Sequence, residues 1–277
     1  MNNEVAGIVA IDDGGSSTIC VTKNGIEVFP SVKGFYGNRT LTQVTSKYDF
    51  IIDYKGDRYC GGDLAVHDCD YKMQLFSKSK QHDFFDLSVL IAIHQYGYST
   101  NKIIVSVPVK MHTEDEKNGR ITRLKGSHTI TVNGEQKTFA ITDLKIVPES
   151  ASAFWCNQPK GKSNFIDIGS RTIGYSSVIN NQDGVRFLNT ESGVFKKGIE
   201  LLGDNYNSKA LAEFLHGNLS RIWNKNDKVY LLGGGALDAN LVTCIKEHFP
   251  NSEVMEEADM ANVNGMYSIG RILYGMD

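Results

Sequence analysis

Four apolar residues, Ile8, Val9, Ala10 and Ile11, open the patterned part of the chain and run directly into Asp12, Asp13, Gly14, Gly15, Ser16, Ser17 and Thr18. A short apolar run that ends in a cluster of turn formers predicts a buried strand closing on a hairpin turn. Two further strands are predicted, over 18–22 and, after Asn24-Gly25, over 26–29, because Asn-Gly between apolar runs favours a two-residue hairpin loop. Residues 30–83 are less regular. They contain one clear hairpin, YDFIIDY and RYCGGDLA joined by Lys55-Gly56-Asp57, and read as a small lobe inserted at the edge of the first sheet. Lys72, Lys78 and Lys80 behind it read as a solvated face. The apolar positions over 84–96 predict a mostly buried helix. KIIVSVPV at 102–109 is apolar on both faces, as in the centre of a parallel sheet, so strand, helix and strand make a right-handed crossover. A helix over 113–123 is capped by Thr113 with Glu116 three positions on. Two strands around Asn133-Gly134 and another at 144–147 lead to PESASAFW, where the first domain is expected to end, at residue 150.

The second half repeats this pattern. FIDIGSRTIGYSSV at 165–178 is again an apolar strand, an aspartate, a Gly/Ser turn and a second strand, with a third expected after 181–184. An internal repeat of this kind points to a duplicated structural unit. Residues 157–163, NQPKGKS, read as a linker; they resemble the tail of a Walker A loop but lack its first glycine and its preceding strand. Helices are expected at 194–203 and 205–217. At 229–242 an apolar strand runs into Gly233, Gly234 and Gly235 and then a helix, so that a flat ligand part, base or ribose as well as phosphate, can lie against the backbone. A last helix is expected over 258–274, with Gly265 inside it marking a close packing contact.

Composition narrows the function classes. The 277 residues suffice for two domains. A net charge of −3, from 29 basic and 32 acidic residues, supplies no general cationic field, which argues against direct nucleic-acid binding. Five cysteines without CxxC spacing suit reduced thiols in a cytoplasm, and the isolated His67-x-Cys69 pair reads as incidental. The longest apolar run, LSVLIAI at 87–93, is too short for a membrane span, and the early Asp12 does not suit a signal peptide. A cytoplasmic protein with no membrane partner is expected.

The chemistry follows from the two hairpin turns. Glycines at 14 and 15 bring backbone N–H groups close to an anion, and Ser16 and Ser17 add donors. An aspartate beside a phosphate requires a cation between them, so Asp12 implies Mg²⁺. The same acidic, glycine-rich turn also suits an ordinary hairpin. Two such turns facing each other across a cleft would clamp the phosphates of a nucleotide.

IDDGGSS, PESASA, FIDIGSRT and LLGGGA, closed by NGMYSIGRIL, together resemble the actin, sugar-kinase and heat-shock ATPase superfamily. Within it they look most like plasmid-partitioning actins of the ParM type. The interval 179–228 holds two helices and no further lobe, as in the short AlfA branch of those actins.

The resemblance implies an α/β, actin-like two-domain fold with one small subdomain missing from the second domain. Domain I would span 1–150, with 30–83 as subdomain IB; domain II would span 151–264, lacking subdomain IIB; and 265–277 would form a helix packing back on domain I. It implies ATP, or GTP, with Mg²⁺, slow hydrolysis coupled to self-assembly into a helical filament, and segregation of plasmid DNA through a DNA-binding adaptor. Asp12, Asp13, Gly14, Gly15, Ser16 and Ser17 fall on the first phosphate loop, and Asp167, Gly169, Ser170 and Arg171 on the second. Gly233, Gly234 and Gly235 fall on the adenosine loop. Asp12 and Asp167 would hold the metal, and Glu149 would position or deprotonate the attacking water, although after Pro148 it also suits a helix start. Arg171 could contact phosphate or solvent. Lys197 and Glu200, on the helix expected before the adenosine loop, could contact adenine or be solvated. The alternative within the superfamily is a small-molecule kinase, in which Glu149 would serve as base for an acceptor hydroxyl.

Overall fold

The computed structural model describes residues 6–38, 41, 44–69, 71–73 and 83–275. The chain divides into two compact units, the first comprising residues 1–106, 113–146 and 270–277, the second 107–112 and 147–269. The division therefore falls at 146/147, four residues ahead of the expected boundary, because Val147 and the PES turn belong with the second unit.

In the first unit β1 (Ala6–Asp13), β2 (Ser17–Thr22) and β3 (Gly25–Pro30) form the expected antiparallel meander. β4 (Lys33–Phe35), β5 (Asp49–Tyr54), β6 (Asp57–Gly61), α1 (Gly62–His67) and β7 (Lys72–Met73) make up the inserted stretch. The expected strand through RYCGGDLA stops at Gly61, and a helix begins at Gly62. There φ is +64°, and a Cβ would lie 2.0 Å from the Tyr48 carbonyl oxygen. α2 (Asp83–Tyr96) precedes β8 (Thr100–Val107), which pairs with β1 in parallel. α3 (Glu114–Leu124) is capped as expected: the Thr113 hydroxyl accepts from the Glu116 amide. β9 (Gly126–Val132) and β10 (Glu135–Pro148) pair across Asn133-Gly134. The separate strand expected at 144–147 is the end of β10, which runs unbroken for 14 residues. Its polar middle, Thr142 and Asp143, reads as a break in the sequence, yet both residues lie within a continuous strand, Thr142 exposed and Asp143 partly exposed.

These strands form one sheet in the order β3-β2-β1-β8-β10-β9-β5-β6-β4-β7, the insert joining through pairing of β5 with β9. Ile8, Val9, Ile11, Leu90, Ile91, Ile103 and Val105 are all buried, each side chain contributing about 1.5–3 kcal/mol relative to exposure. Lys72 is exposed as expected, whereas Lys78 and Lys80 lie outside the described residues.

The second unit follows the same plan. After α4 (Phe154–Asn157) come β11 (Gly161–Ile168), β12 (Ile173–Asn181) and β13 (Gly184–Phe187), again an antiparallel meander. The last three residues of the expected linker, 161–163, are already strand. β14 (Gly193–Phe195) pairs with β12, so the helix expected at 194–203 shrinks to α5 (Ile199–Leu202). The stacked rings of Tyr175 and Phe195, 4.8 Å apart, hold this pairing. α6 (Ser208–Leu219) precedes β15 (Lys228–Leu232), which is parallel to β11. A 3₁₀ turn (Gly234–Leu237), α7 (Ala239–His248), β16 (Ser252–Val254) and α8 (Ala261–Tyr274) complete the chain. The sheet order is β13-β12-β11-β15-β16, with β14 beside β12. Ile166, Ile168, Leu215, Leu219, Val229, Leu231, Leu241 and Ile245 build its core.

α8 begins at Ala261 and is counted with the first unit from Gly270, not from residue 265. Gly265 fits against backbone of the second unit, where a Cβ would lie 1.9 Å from the Ser152 carbonyl oxygen. Among the described residues no helix is long and apolar enough to cross a membrane.

Candidate functional site

The predicted site residues fall into two sets, one in each unit. In the first unit Asp12 and Asp13 end β1, and Asp13 pairs with Thr18, which leaves 14–17 as the turn. In the second, Asp167 and Ile168 end β11, and Ile168 pairs with Ile173, which leaves 169–172. The registers coincide, so Asp12 and Asp167 occupy equivalent places. Gly14 and Gly169 also correspond: a Cβ on either would come within 2.9 Å of a carbonyl oxygen, that of Ser17 or Thr172 respectively. The repeat read from the sequence is thus a repeat of backbone geometry.

The two aspartates of the first turn separate in role. Asp12 is partly exposed, and its Oδ1 accepts from the Ser106 hydroxyl at 2.9 Å. Asp13, expected to contact nucleotide, is turned inward and fully buried, where its Oδ2 accepts from Arg120 Nη2. Arg120 is itself fully buried and also donates from Nη1 to the Ser106 carbonyl at 3.1 Å. Burying one charge without its partner is costly, which explains why Asp13 points away from the turn. Gly14, Gly15, Ser16 and Ser17 remain partly exposed along it. Ser106 and Arg120 are supports the sequence reading missed; Arg120 lies in a highly charged helical stretch that reads as solvated surface.

In the second unit Asp167 is partly exposed and is flanked by Asn262, Gly233 and Gly174. Its Oδ2 accepts from Asn262 Nδ2 at 2.6 Å. Gly233, at φ +80°, lies so near that a Cβ there would come within 2.5 Å of Asp167 Oδ1. Gly174 sits between Asp167 and Ser150, a Cβ on it making ordinary contact with both. Gly233 is also fastened to the approach to α8, its amide donating to the Ala258 carbonyl at 2.8 Å.

Glu149 enters the same unit through the PES turn. Its amide donates to the Val107 carbonyl at 2.8 Å, and its carbonyl accepts from the Ala151 amide at 2.8 Å and the Ser150 hydroxyl at 2.6 Å. Ser150 is buried with φ +62°, a conformation costing a non-glycine residue roughly 1–2 kcal/mol. The turn thereby fixes the backbone of Glu149, which stays partly exposed.

The other expected contacts divide. The amides of Ile199 and Glu200 donate to the carbonyls of Gly169 and Ser170, at 3.2 and 2.9 Å, which places Glu200 beside the second turn. Arg171 in that turn is partly buried, which holds its guanidinium below the ordinary range despite the favourable charge of Glu200. Lys197 is not on a helix; it lies in the exposed loop before α5, with Nζ 4.4 Å from the centre of the Phe214 ring. Gly235 packs under Ile168 and Ile199, whereas Gly234 is exposed with open space where a side chain would stand. The three glycines lead into a 3₁₀ turn, and α7 starts only at Ala239.

The residues present fit a phosphate-bearing ligand with a hydrated cation. Gly233 leaves clear the space beside Asp167 that a side chain would fill. Asn262, 7% exposed, keeps Oδ1 buried with no hydrogen-bond partner among the described residues while its Nδ2 is committed to Asp167.

Comparison with protein-family models matches residues 10–151, just over half of the chain, to the family described as the actin-like proteins N-terminal domain. The chain belongs to the actin-like proteins. A comparison with curated protein sequences finds no match. Among solved structures, this actin-like protein is similar to apo pSK41 ParM, at 18% identity and a TM-score of 0.76, over 98% of this chain and 99% of that one. It is similar to an AlfA filament bound to AMPPNP, at 16% identity and a TM-score of 0.76, over 98% and 99%. It is also similar to Ta0583, an archaeal actin homologue in complex with ADP, at 16% identity and a TM-score of 0.77, over 96% and 99%. At these identities the likeness establishes the fold, in agreement with the actin-like architecture expected from the motifs.

Proposed function

We propose that this actin-like protein is a cytoplasmic, nucleotide-dependent filament-forming ATPase that segregates low-copy plasmid DNA through a separate DNA-binding adaptor. The observation that carries the nucleotide reading is the pair of hairpin turns in identical register, each led by an aspartate, at Asp12 and Asp167. The filament reading draws on the likeness to AlfA in its filament and to ParM, and it extends to this chain as a proposal.

The backbone N–H groups of Gly14, Gly15 and Ser16 bind phosphate oxygens from the first turn, and those of Gly169, Ser170 and Arg171 from the second. Asp12, oriented by Ser106, and Asp167 are the carboxylates that would bind Mg²⁺ or its waters. When bound, Mg²⁺ neutralises charge on the terminal phosphates, the main requirement of phosphoryl transfer. Glu149 accepts a proton from, or orients, the attacking water. The open face at Gly234 receives the ribose or base, and Glu200 stands beside the second turn. Asp13 is reassigned from ligand contact to support of the turn.

High-speed sedimentation of the purified protein with Mg²⁺·ATP, with Mg²⁺·ADP and without nucleotide tests the reading. Pelleting above a sharp critical concentration in ATP is the expected result. A protein that stays soluble at every concentration, yet transfers phosphate to a small-molecule acceptor, would replace it with the kinase reading.

A further inference from the structure

Asn262 is the second residue of α8, and it is 93% buried on a fold element that the nucleotide reading does not otherwise use. Its place is fixed from below by the close seating of Gly265 on the Ser152 backbone, one helical turn away. Its Nδ2 is spent on Asp167 Oδ2 at 2.6 Å. The Oδ1 that remains is an acceptor, and an acceptor alone; among the described residues it has no donor. A buried polar atom left unpaired is costly, so its retention calls for a partner that arrives from outside the chain. That partner must be a hydrogen-bond donor, and it must sit beside a carboxylate. An anionic phosphate oxygen meets neither condition. A water ordered by a divalent cation meets both, because the metal polarises its O–H bonds and is itself drawn to Asp167.

We propose that Asn262 is a positioning residue that locks the Asp167 carboxylate through Nδ2 and accepts, through Oδ1, a water carried by the divalent cation bound there. The inference rests on the nucleotide·Mg²⁺ reading of Asp167 and names a further residue for that same site. It assigns to the start of the C-terminal helix a share in metal affinity, separate from any contact with the nucleotide itself.

The test is the binding of a fluorescent, ribose-labelled ATP to the full chain across a Mg²⁺ titration and in excess EDTA. It compares wild type with Asn262→Leu, which keeps the volume, and Asn262→Ala, which keeps helix propensity. Outer partners of metal ligands typically contribute about 10–100-fold in metal affinity, so the Mg²⁺ half-saturation point should rise at least about tenfold. Affinity in EDTA should stay within about twofold of wild type. A folded variant whose Mg²⁺ half-saturation matches wild type overturns the proposal, as does an equal loss with and without Mg²⁺, which is what a purely structural residue would give. Should neither variant fold, the side-chain amide resonance of Asn262 in ¹⁵N-labelled wild type decides: a shift on adding Mg²⁺ to the ADP complex supports the proposal, and none overturns it. Wild type that binds no nucleotide in any condition removes the underlying reading, a result distinguishable from the others.

Discussion

Gly265 is a position at which one added methyl group has a large expected effect. The atoms it would strike are backbone, the Ser152 carbonyl at 1.9 and 2.6 Å and the Ala153 Cα at 3.1 Å, so no side chain can swing aside. Gly265→Ala gains about 1 kcal/mol of helix propensity. Overpacking costs roughly 1–3 kcal/mol and should reach its upper end here. Net destabilisation of about 2 kcal/mol is expected, read as a lower urea midpoint by circular dichroism; an unchanged midpoint would show that α8 does not seat on Ser152. Asp13 and Arg120 give the contrasting lesson. Asp13 carried a functional reading in the sequence and Arg120 carried none, and the structure shows each neutralising the other in the interior. Sequence shows that an aspartate stands at a turn; it does not show which of two adjacent aspartates the pleat of the strand turns inward.

At the scale of elements, α7 illustrates how a helix start is tied to pH. The Asp238 carboxylate accepts from the Asn240 amide at 2.9 Å and the Leu241 amide at 3.3 Å, capping the helix, and it also accepts from the Tyr206 hydroxyl. The Tyr206 hydroxyl foremost, with these amides, holds its carboxyl below the ordinary range against a smaller opposing effect of burial. A carboxyl lowered on folding stabilises the fold above the unfolded value of about 4, and that contribution is lost as pH falls through the folded value. Asp238→Asn, which still caps but does not titrate, should therefore lower the thermal midpoint at pH 7 and flatten its decline below about pH 4. Parallel decline in both proteins would count against the linkage.

Elements with strong local signals were legible in the sequence. The two meanders, α2 and the Thr113 cap were readable because apolar runs, Asn-Gly turns and capping residues act locally. β14 and the unbroken β10 were not: the first depends on Tyr175 stacking on Phe195, and the second hides a polar pair inside a strand. Asn262 escaped for the same reason, since its partner Asp167 lies 95 positions away.

For the whole molecule, the proposal separates two properties that a single residue should uncouple. A filament requires unlike faces of successive copies to meet without closing, whereas hydrolysis requires a positioned water. Glu149→Ala removes only the second. It should leave ATP-dependent pelleting intact while slowing phosphate release by roughly 10²–10⁴-fold, the usual contribution of a general base. Release at the wild-type rate would remove Glu149 from the mechanism, and loss of pelleting would assign it to assembly instead.

The twin hairpins share a frame but are closed by different physics. At the position after the leading aspartate the first holds a buried ion pair, Asp13 with Arg120, and the second holds Ile168 in an apolar core. The hydration that opposes burying charge weakens as temperature rises, while stabilisation by apolar burial levels off. On warming, the first turn therefore gains relative strength over the second, so that two copies of one motif diverge in how they meet heat.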